Sequence, residues 1–448
     1  MLALDVTSLL RWHGPPAGIV RVEDELLSCA LSSDLNVVPV YFDDRIGAFR
    51  HLSPDWLRHA RHWNSVLDAG FEEKRSGIRQ LLPSRLSLFQ KLEQRRLRAA
   101  GRGVRGALDL VQRCLIGLRP SKLKLHNTKG ERINYVPMKL LLGDRMDLRA
   151  PDVLLLVASD WKYKNIEAIL SDKARCGYAI AALVFDIIPL KSPQWFPDAT
   201  VEAFKIFHNS VFMNAERVIV SSQFVAGDIE SYCAREGFNV PALAVGPLGY
   251  RPVQRSRPAG LLHSFHPGKF ALFVSTIEPR KNHRVLLDVW RKLLDEGVPQ
   301  RHGFDLVFVG RPGWMVDDLL RDIRRLALPQ NRLHHLSGIE DDELQALYAA
   351  CAFIIYPSRD EGFGLPLIEA FAAGKAVISS NAGSLVEVAN DLAILIGPDD
   401  LVGWSEKIRE WIEYPIQRDA YEDRIRSTFR HPCWHAASAR IFDLARAP

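Results

Sequence analysis

The chain has 448 residues, 47% of them hydrophobic and 25% charged, which is typical of a globular protein of roughly two to three domains. No apolar run approaches the roughly 18 residues of a membrane-spanning helix, and the N-terminus lacks the basic start and cleavage site of a signal peptide, so we expect a cytoplasmic protein. The six cysteines are scattered and form no C-x-x-C pair, which favours reduced, buried thiols over a disulfide framework.

The net charge of +5 conceals an uneven distribution along the chain. Residues 74–124 hold 14 lysines and arginines and only two acidic residues, a net charge of +12, whereas the remainder carries −7. Because the positive charge comes from one segment, the sequence does not predict a broad nucleic-acid-binding surface.

The N-terminal part predicts a short buried strand at residues 2–6, a loop rich in glycine and proline, a helix from about Ile19, and a second strand at 35–42. Gly18 lies where this helix begins. Its backbone can approach a ligand closely at the helix N-terminus, but a tight connection between strand and helix explains this glycine equally well.

Residues 71–130 differ in character from the rest of the chain, because they are basic, rich in leucine and helical in composition. Such a segment either lies on an anionic membrane surface or forms a solvated helical insertion in the first domain. It contains GRGVRG, which matches G-x-G-x-x-G, but no predicted strand precedes it. We therefore reject it as a dinucleotide-binding fingerprint.

From residue 151 the chain alternates between continuous apolar runs and helical segments, which predicts a parallel sheet covered on both faces. Asp186 stands at the carboxyl end of its predicted strand, where doubly wound sheets bind ligands; a cap for the next segment is the alternative. Residues 247–269 are rich in proline, glycine and arginine and have no period, so they are predicted to be an interdomain linker.

A second α/β series follows the linker, so the predicted fold is α/β with two doubly wound domains that face each other across a cleft. The first domain takes residues 1–250, with the insertion at about 71–130. The second takes 251–430. Residues 431–448 are predicted to form a helix that packs back on the first domain.

The second domain carries the residues that suit a nucleotide. Arg280 and Lys281 follow its first strand and precede a helix, and adjacent cations at a helix N-terminus suit a diphosphate. Gly310 and Gly338 end the next two strands, where small residues leave room for a base or a ribose.

A glycine-rich turn between Tyr356 and Asn381 is the most specific feature of the sequence. Glu361 precedes the turn and Glu369 lies eight residues later, one turn into the following helix. Glu369 can accept hydrogen bonds from two vicinal hydroxyls, and we expect it beside the Arg-Lys pair, with Glu361 facing the open cleft towards Asp186. Backbone N–H groups of the turn can hold a sugar or phosphate: those of Phe363, Gly364 and Leu365.

Several of these stretches together resemble the retaining glycosyltransferases of family 4, which have the GT-B fold. RDEGFGLPLIEAFAAGKAVISSNAGSLVEV resembles the family's signature of two glutamates separated by seven residues. FVSTIEPRKNHRVLLDVW resembles its phosphate clamp, LSGIEDDELQALYAACAFIIYPS its base-binding stretch, VFDIIPL its acceptor-side aspartate motif, and DVTSLL with AGIVRVEDELL its N-terminal glycine loop. Residues 71–130 resemble nothing in the family.

The resemblance implies a role for each matching residue. Arg280 and Lys281 would bind the donor diphosphate and stabilise the leaving charge. Glu369 would hold the donor ribose, and Glu361 with the turn backbone would hold the donor sugar. Gly18 would lie near the diphosphate, and Asp186 would face the transferred sugar or the acceptor. Phe185 stands where many members have histidine.

The resemblance also implies an activity. It is the metal-independent transfer of a sugar, mannose from GDP-mannose being favoured, to a glycan or lipid-linked acceptor in cell-surface polysaccharide synthesis, with no separate cofactor. It favours membrane-surface contact for residues 74–124, at the inner face of the membrane. A non-transferring GT-B enzyme such as a nucleotide-sugar epimerase, and a non-catalytic membrane-docking module, are the alternatives.

Overall fold

The computed structural model describes residues 1–11, 18–53, 125–126, 132–133, 142–157, 165–251, 265–339 and 341–447. The predicted basic segment at 74–124 lies outside the described residues, as do the GRGVRG motif and most of the predicted linker. What was predicted for them stays a prediction.

The chain forms two compact units. One comprises residues 1–10, 17–51 and 144–448, and the other comprises 11–16 and 52–143. In the second unit the structure describes mainly a two-stranded antiparallel pair. The candidate site lies in the first unit.

The described strands follow the predicted apolar runs, and further strands that were not predicted lie at residues 48–52, 125–126, 132–133, 142–145 and 242–245. They are β1 (Leu2–Asp5), β2 (Val37–Asp43), β3 (Ala48–Leu52), β4 (Leu125–His126), β5 (Arg132–Ile133), β6 (Leu142–Arg145), β7 (Val153–Val157), β8 (Ala179–Val184), β9 (Arg217–Val220), β10 (Ala242–Val245), β11 (Phe270–Val274), β12 (Asp305–Val309), β13 (Leu333–Leu336), β14 (Phe353–Tyr356), β15 (Val377–Ser380) and β16 (Ile394–Ile396).

The described α-helices alternate with these strands over most of the chain. They are α1 (Thr7–Arg11), α2 (Ile19–Ser32), α3 (Ile166–Cys176), α4 (Ile188–Lys191), α5 (Asp198–Asn214), α6 (Gln223–Glu236), α7 (His283–Asp295), α8 (Val298–His302), α9 (Asp317–Leu326), α10 (Asp341–Ala350), α11 (Leu365–Ala372), α12 (Leu385–Ala389), α13 (Leu401–Glu413), α14 (Ile416–Thr428) and α15 (Trp434–Arg446). Short 3₁₀ helices lie at Pro193–Trp195, Pro279–Lys281 and Pro329–Asn331.

Two separate sheets organise these elements. The first has the order β10-β9-β8-β7-β1-β2-β3-β6, and the second has the order β13-β12-β11-β14-β15-β16. Strands from β10 to β2 pair in parallel, β3 returns antiparallel to β2, and all neighbouring strands of the second sheet are parallel. The predicted α/β fold with two doubly wound sheets is confirmed. We call the part built on the first sheet the first lobe and the part built on the second sheet, residues 265–428, the second lobe.

Each lobe has its own apolar core, because its central strands are covered by helices on both faces. In the first lobe, Leu154, Ala182 and Val218 of the sheet pack in one cluster with Phe207 of α5 and Ile229 of α6. In the second lobe, α7 packs on α13 and buries three tryptophans almost completely: Trp290, Trp404 and Trp411.

The last helix returns to the first lobe. Helix α15 packs on α2 and on the strands β1, β7, β8 and β9. Before it begins, the chain runs beside Tyr250, whose N–H donates to the carbonyl of Pro432 at 3.3 Å and whose carbonyl accepts from Trp434 N at 3.1 Å. A Cβ on Gly249 would lie 2.5 Å from the Trp434 backbone, so these two crossings of the chain are in close contact.

Candidate active site

The candidate site lies at the carboxyl edge of the second sheet, where β11 and β14 end side by side. The loop after β11 holds the 3₁₀ helix Pro279–Lys281, and the loop after β14 holds the glycine-rich turn. Arg359 N donates to the carbonyl of Arg280 at 2.9 Å and ties the two loops together. Asn282 ends the 3₁₀ helix in the left-handed region, and its side chain donates to the carbonyl of Pro357 at 3.1 Å.

Arg280, Lys281 and Glu361, with Glu278 and Tyr356, form an ion-pair cluster that we call the clamp. Nη1 of Arg280 donates to Oε2 of Glu361 at 2.7 Å, and its Nη2 lies 2.9 Å from Glu278. Nζ of Lys281 donates to Oε1 of Glu361 at 2.5 Å, and the hydroxyl of Tyr356 donates to the same oxygen at 3.0 Å. The cluster is buried, since Glu278 and Glu361 are only 3% and 5% exposed.

Burial and ion pairing act in opposite directions on the charged groups of the clamp. Burial by itself raises the pKa of Glu361, but Arg280 and Lys281 more than offset it and hold that pKa at about 2. Burial and the neighbouring guanidinium lower the pKa of Lys281, while Glu361 opposes the shift. Because Glu361 pairs with both cations, an anionic ligand would compete with Glu361 for Arg280 and Lys281.

The clamp lies against the end of β8 in the first lobe. A Cβ on Gly362 would lie 2.1 Å from the carbonyl oxygen of Phe185 and 2.8 Å from Cβ of Asp186, so only glycine permits this approach. The hydroxyls of Ser221 and Ser222, which follow β9, donate to the carbonyl of Gly362 at 2.9 and 3.0 Å. The turn is thus held from both lobes.

Asp186 is partly buried beside the clamp. One of its carboxylate oxygens accepts from Ile188 N at 3.0 Å, as in the predicted capping alternative. Burial raises the pKa of Asp186, Arg280 opposes this rise, and the negative charge of Glu361 adds to it. The structure therefore brings together the four residues predicted as catalytic: Asp186, Arg280, Lys281 and Glu361.

Glu369 lies elsewhere than expected. Its Oε1 accepts from Nη1 of Arg21 at 2.7 Å, and its Oε2 accepts from the hydroxyl of Tyr348 at 2.9 Å. Within the described residues, the carboxylate that pairs with Arg280 and Lys281 is that of Glu361, whereas Glu369 pairs with Arg21 and Tyr348. The chain turns before α11 begins, and the helix then carries Glu369 towards α10 and α2 rather than towards the loop after β11.

Gly18 precedes α2 with a positive φ of 55°, and no atom of the described residues lies within 4 Å of a Cβ built on it. Arg21 follows in the first turn of the same helix. Its side chain bridges the lobes, since a second nitrogen lies 3.5 Å from the carboxylate of Asp341 in α10. Arg21 was not predicted as a site residue, although it lies only three residues after Gly18.

The other predicted turn residues lie at the start of α11, whose first N–H groups have no partner within the helix. Phe363 is buried and its ring lies 5.9 Å from that of His431. Gly364 is the N-cap residue with a φ of 89°, and Leu365 is the first helical residue.

Two predicted strand-end glycines differ in their surroundings. Gly338 has a φ of 71° and open space where a Cβ would be. Gly310 does not leave room for a ligand, because a Cβ there would lie 1.8 Å from the carbonyl oxygen of Ser275. That prediction is corrected: the small residue at 310 permits the close approach of the chain that follows β11.

Further contacts join the lobes around the site. Lys191 of α4 lies 2.6 Å from Asp228 of α6 and 3.1 Å from Asp360 in the turn. The carboxylate of Glu387 accepts from the N–H groups of Gln223 and Phe224 at 2.9 and 3.0 Å, at the start of α6.

Two further structural properties bear on the predictions. Among the helices within the described ranges, none is both long and apolar enough to cross a membrane. In the same part of the chain, His, Cys, Asp and Glu side chains form no group of three or more suited to holding a metal ion.

Comparison with known proteins identifies relatives over part of the chain. Residues 262–428 match the family described as Glycosyl transferases group 1. The serotype-specific mannosyltransferase WbdA of Escherichia coli is 29% identical over 274 residues, which are 58% of this chain and 33% of WbdA. The O-antigen chain mannosyltransferase B of Escherichia coli is 36% identical over 154 residues, 34% of this chain and 38% of that protein. The matches thus span about a third of the length of these relatives.

A solved structure resembles about two thirds of this chain. Anabaena HepE in complex with UDP and glucose superposes with a TM-score of 0.51 and 20% identity, over 64% of this chain and 76% of HepE. At this identity the likeness shows the fold alone. That fold is GT-B, which confirms the predicted fold class.

Proposed function

We propose that the chain is a retaining glycosyltransferase whose donor is a nucleotide-diphosphate sugar, and the match of residues 262–428 to the family described as Glycosyl transferases group 1 supports this. The observation that carries the proposal is the clamp, in which Arg280 and Lys281 meet Glu361 at the carboxyl edge of the second sheet. Two buried cations at the ends of parallel strands suit a ligand with two phosphates, because they are fixed before the ligand arrives.

The donor would bind by exchange of charges in the clamp. Its diphosphate brings negative charge to Arg280 and Lys281 and releases the carboxylate of Glu361, which then turns to the sugar hydroxyls. The backbone N–H groups at the start of α11 hold the same sugar, and Gly18 lets the diphosphate approach the start of α2. Glu369 accepts hydrogen bonds from the ribose, and the open space at Gly338 admits the nucleoside.

In the proposed step, the bond between the anomeric carbon and the diphosphate oxygen breaks, and its electron pair stays with the diphosphate. Arg280 and Lys281 stabilise the charge that develops there. The acceptor oxygen bonds to the anomeric carbon on the face that the diphosphate leaves, and its proton passes to a phosphate oxygen, so the configuration is retained. Asp186, whose pKa is raised by burial, faces the transferred sugar or the acceptor.

We propose mannose as the sugar, GDP-mannose as the donor, and a glycan or lipid-linked oligosaccharide of a cell-surface polysaccharide as the acceptor. Two relatives that are named mannosyltransferases support this, one of them for an O-antigen chain.

The charge of +12 on residues 74–124 supports contact with an anionic membrane surface. Vesicles rich in anionic lipid should float the full chain but not a variant that lacks 74–124, and equal flotation of both would exclude this contact.

The donor is tested by thermal shift with a panel of nucleotide sugars that includes GDP-mannose, UDP-glucose and their parent diphosphates. A donor at about 100 times its Kd adds roughly 2.7 kcal/mol to the free energy of unfolding. We expect GDP-mannose to give the largest shift. A shift from none of the compounds would contradict the proposed activity.

The site is tested by the variants Lys281→Ala and Glu369→Ala, assayed for sugar transfer to acceptor and for retained fold by circular dichroism. Each should abolish transfer while leaving the protein folded. Arg284→Ala is the matched control, since Arg284 lies three residues after Lys281 but is 44% exposed and pairs with Asp322. Full activity in both site variants would exclude this assignment of the residues.

A further inference from the structure

Glu369 has both carboxylate oxygens engaged in this structure, one by Arg21 and one by Tyr348. A carboxylate can accept more than two hydrogen bonds, but the side chain of Glu369 is only 12% exposed. The guanidinium of Arg21 therefore fills the space beside Oε1. A ribose that is to bind Glu369, as in the proposed function on which this inference rests, must displace Arg21.

Arg21 is a buried cation, and nearby carboxylates stabilise its positive charge. It is 9% exposed, and the nearest acidic groups are Glu369 at 2.7 Å and Asp341 at 3.5 Å. Its Nε is buried and has no hydrogen-bond partner within the part of the chain that the structure describes. Displacement from Glu369 removes the shorter of these two ion pairs, which is unfavourable for a buried charge.

The location of Arg21 indicates what can replace that carboxylate. It stands in the first turn of α2, a helix of 14 residues, where backbone N–H groups and the helix dipole both favour an anion. The proposed donor carries such an anion on the same molecule as its ribose. One ligand can therefore both displace Arg21 from Glu369 and supply the charge that Arg21 loses.

We propose that Arg21 is a specificity-determining residue that makes binding at Glu369 conditional on a diphosphate. Ribose hydroxyls take Oε1 of Glu369, and the released guanidinium pairs with the diphosphate of the same ligand. A nucleoside without phosphates displaces Arg21 and leaves it short of a partner, so it binds weakly. Arg21 thus discriminates nucleoside diphosphates and their sugars from nucleosides.

The test compares guanosine with GDP, and uridine with UDP, by titration calorimetry on the full chain. In the wild type, the diphosphate of the preferred base should bind much more tightly than its nucleoside. In Arg21→Ala, affinity for the diphosphate should fall about tenfold or more, while affinity for the nucleoside stays unchanged or rises. Arg21→Lys should keep part of the preference, because it keeps the charge.

Arg251→Ala is the matched control, since Arg251 pairs with the same Asp341 at 3.0 Å but does not contact Glu369 in the described structure. It should leave the ratio of the two affinities unchanged. Should Arg21→Ala fail to fold, Arg21→Gln removes the charge with less change in shape.

The outcomes separate this inference from the proposed function. If the wild type binds a nucleoside diphosphate but Arg21→Ala leaves the affinity ratio unchanged, the inference is wrong and the function stands. Equal losses for diphosphate and nucleoside would give Arg21 a structural role only, and would also overturn it. If the wild type binds neither GDP nor UDP, the proposed function fails, and the inference fails with it.

Discussion

Glu361 and Glu369 lie eight residues apart, yet they belong to different kinds of interaction. The carboxylate of Glu361 is bound by Arg280, Lys281 and Tyr356, all from the second lobe. The carboxylate of Glu369 is bound partly by Arg21, which precedes it by 348 residues and belongs to the first lobe. One carboxylate is therefore held within a lobe, and the other is held between lobes.

The two carboxylates therefore depend on the arrangement of the lobes to different degrees. All members of the clamp belong to the second lobe, although the turn that carries Glu361 also contacts the first lobe at Gly362. The pair between Arg21 and Glu369 exists only when the first lobe is in place. For a donor that enters between the lobes, the phosphate site at Arg280 and Lys281 would already be formed. The ribose site at Glu369 would still be occupied by Arg21 of the first lobe.

The largest effect is expected where the clamp is broken. Arg280→Ala leaves Glu361 and Glu278 buried with one cation fewer, which should lower the free energy of unfolding by about 3–5 kcal/mol. Transfer should also fall by about 10²–10³, since a fixed positive group no longer faces the leaving diphosphate. Urea unfolding and initial rates measure the two effects.

Arg284→Ala serves as the control for this prediction, because it removes the same charge from an exposed position nearby. It should change the free energy of unfolding by less than about 0.5 kcal/mol. Similar losses in the two variants would mean that the clamp is no more important than a surface ion pair.

Acid titration should sharpen the description of Glu361. Its pKa is lowered from 4.5 to about 2, so its ion pairs stabilise the fold fully above about pH 4.5, and this stabilisation is lost as the pH falls towards 2. A shift of this size corresponds to about 3 kcal/mol. Glu361→Gln cannot titrate, so its deficit relative to the wild type should shrink over that window in urea unfolding.

Two buried histidines also change the stability of the protein over this pH range. They do not obscure the comparison of the wild type with Glu361→Gln. Burial lowers the pKa of His208 to about 4 and that of His283 to about 3, so both reduce stability as the pH falls below about 6.5. They are present in both proteins, and their contribution largely cancels in the difference. A deficit that stays constant from pH 5 to about pH 3 would contradict the depressed pKa of Glu361.

The same contrast explains what the sequence could predict. The two sheets follow from alternating apolar runs and helical segments. Arg280, Lys281 and Glu361 follow from polar residues at the ends of neighbouring parallel strands, which necessarily meet at one edge of a sheet. Contacts between the lobes could not be predicted, because a local pattern does not determine which face of α11 meets α2. The chain distance between Arg21 and Glu369 hid their pairing for this reason.

Gly310 shows a second limit. A glycine at a strand end signals a close approach, but the sequence does not tell whether a ligand or the chain itself makes that approach. At Gly310 it is the carbonyl of Ser275, and at Gly362, which was not predicted as a site residue, it is the carbonyl of Phe185.

Gly362→Ala tests the junction between the two regions. Its added Cβ would meet the Phe185 carbonyl at 2.1 Å, and the residue has no positive φ that would strain alanine by itself. Moving the turn should cost about 1–3 kcal/mol and, by misplacing Glu361, lower the transfer rate about a hundredfold. Gly227→Ala, in α6 with no atom within 4 Å, should instead raise stability by up to about 1 kcal/mol.

The smallest effect is expected at a contact that only joins the lobes. Glu387→Gln removes the charge that faces the start of α6, which should cost about 0.3–1 kcal/mol at low salt. Because the contact is exposed, about 1 M salt should abolish most of the difference in unfolding free energy between the wild type and Glu387→Gln, measured in urea. A difference that does not change with salt would contradict an electrostatic origin. A weak contact here beside a strong clamp at Arg280 would mean that Glu387 adds little to the junction of the lobes, whereas Arg280 is essential to the fold of the second lobe.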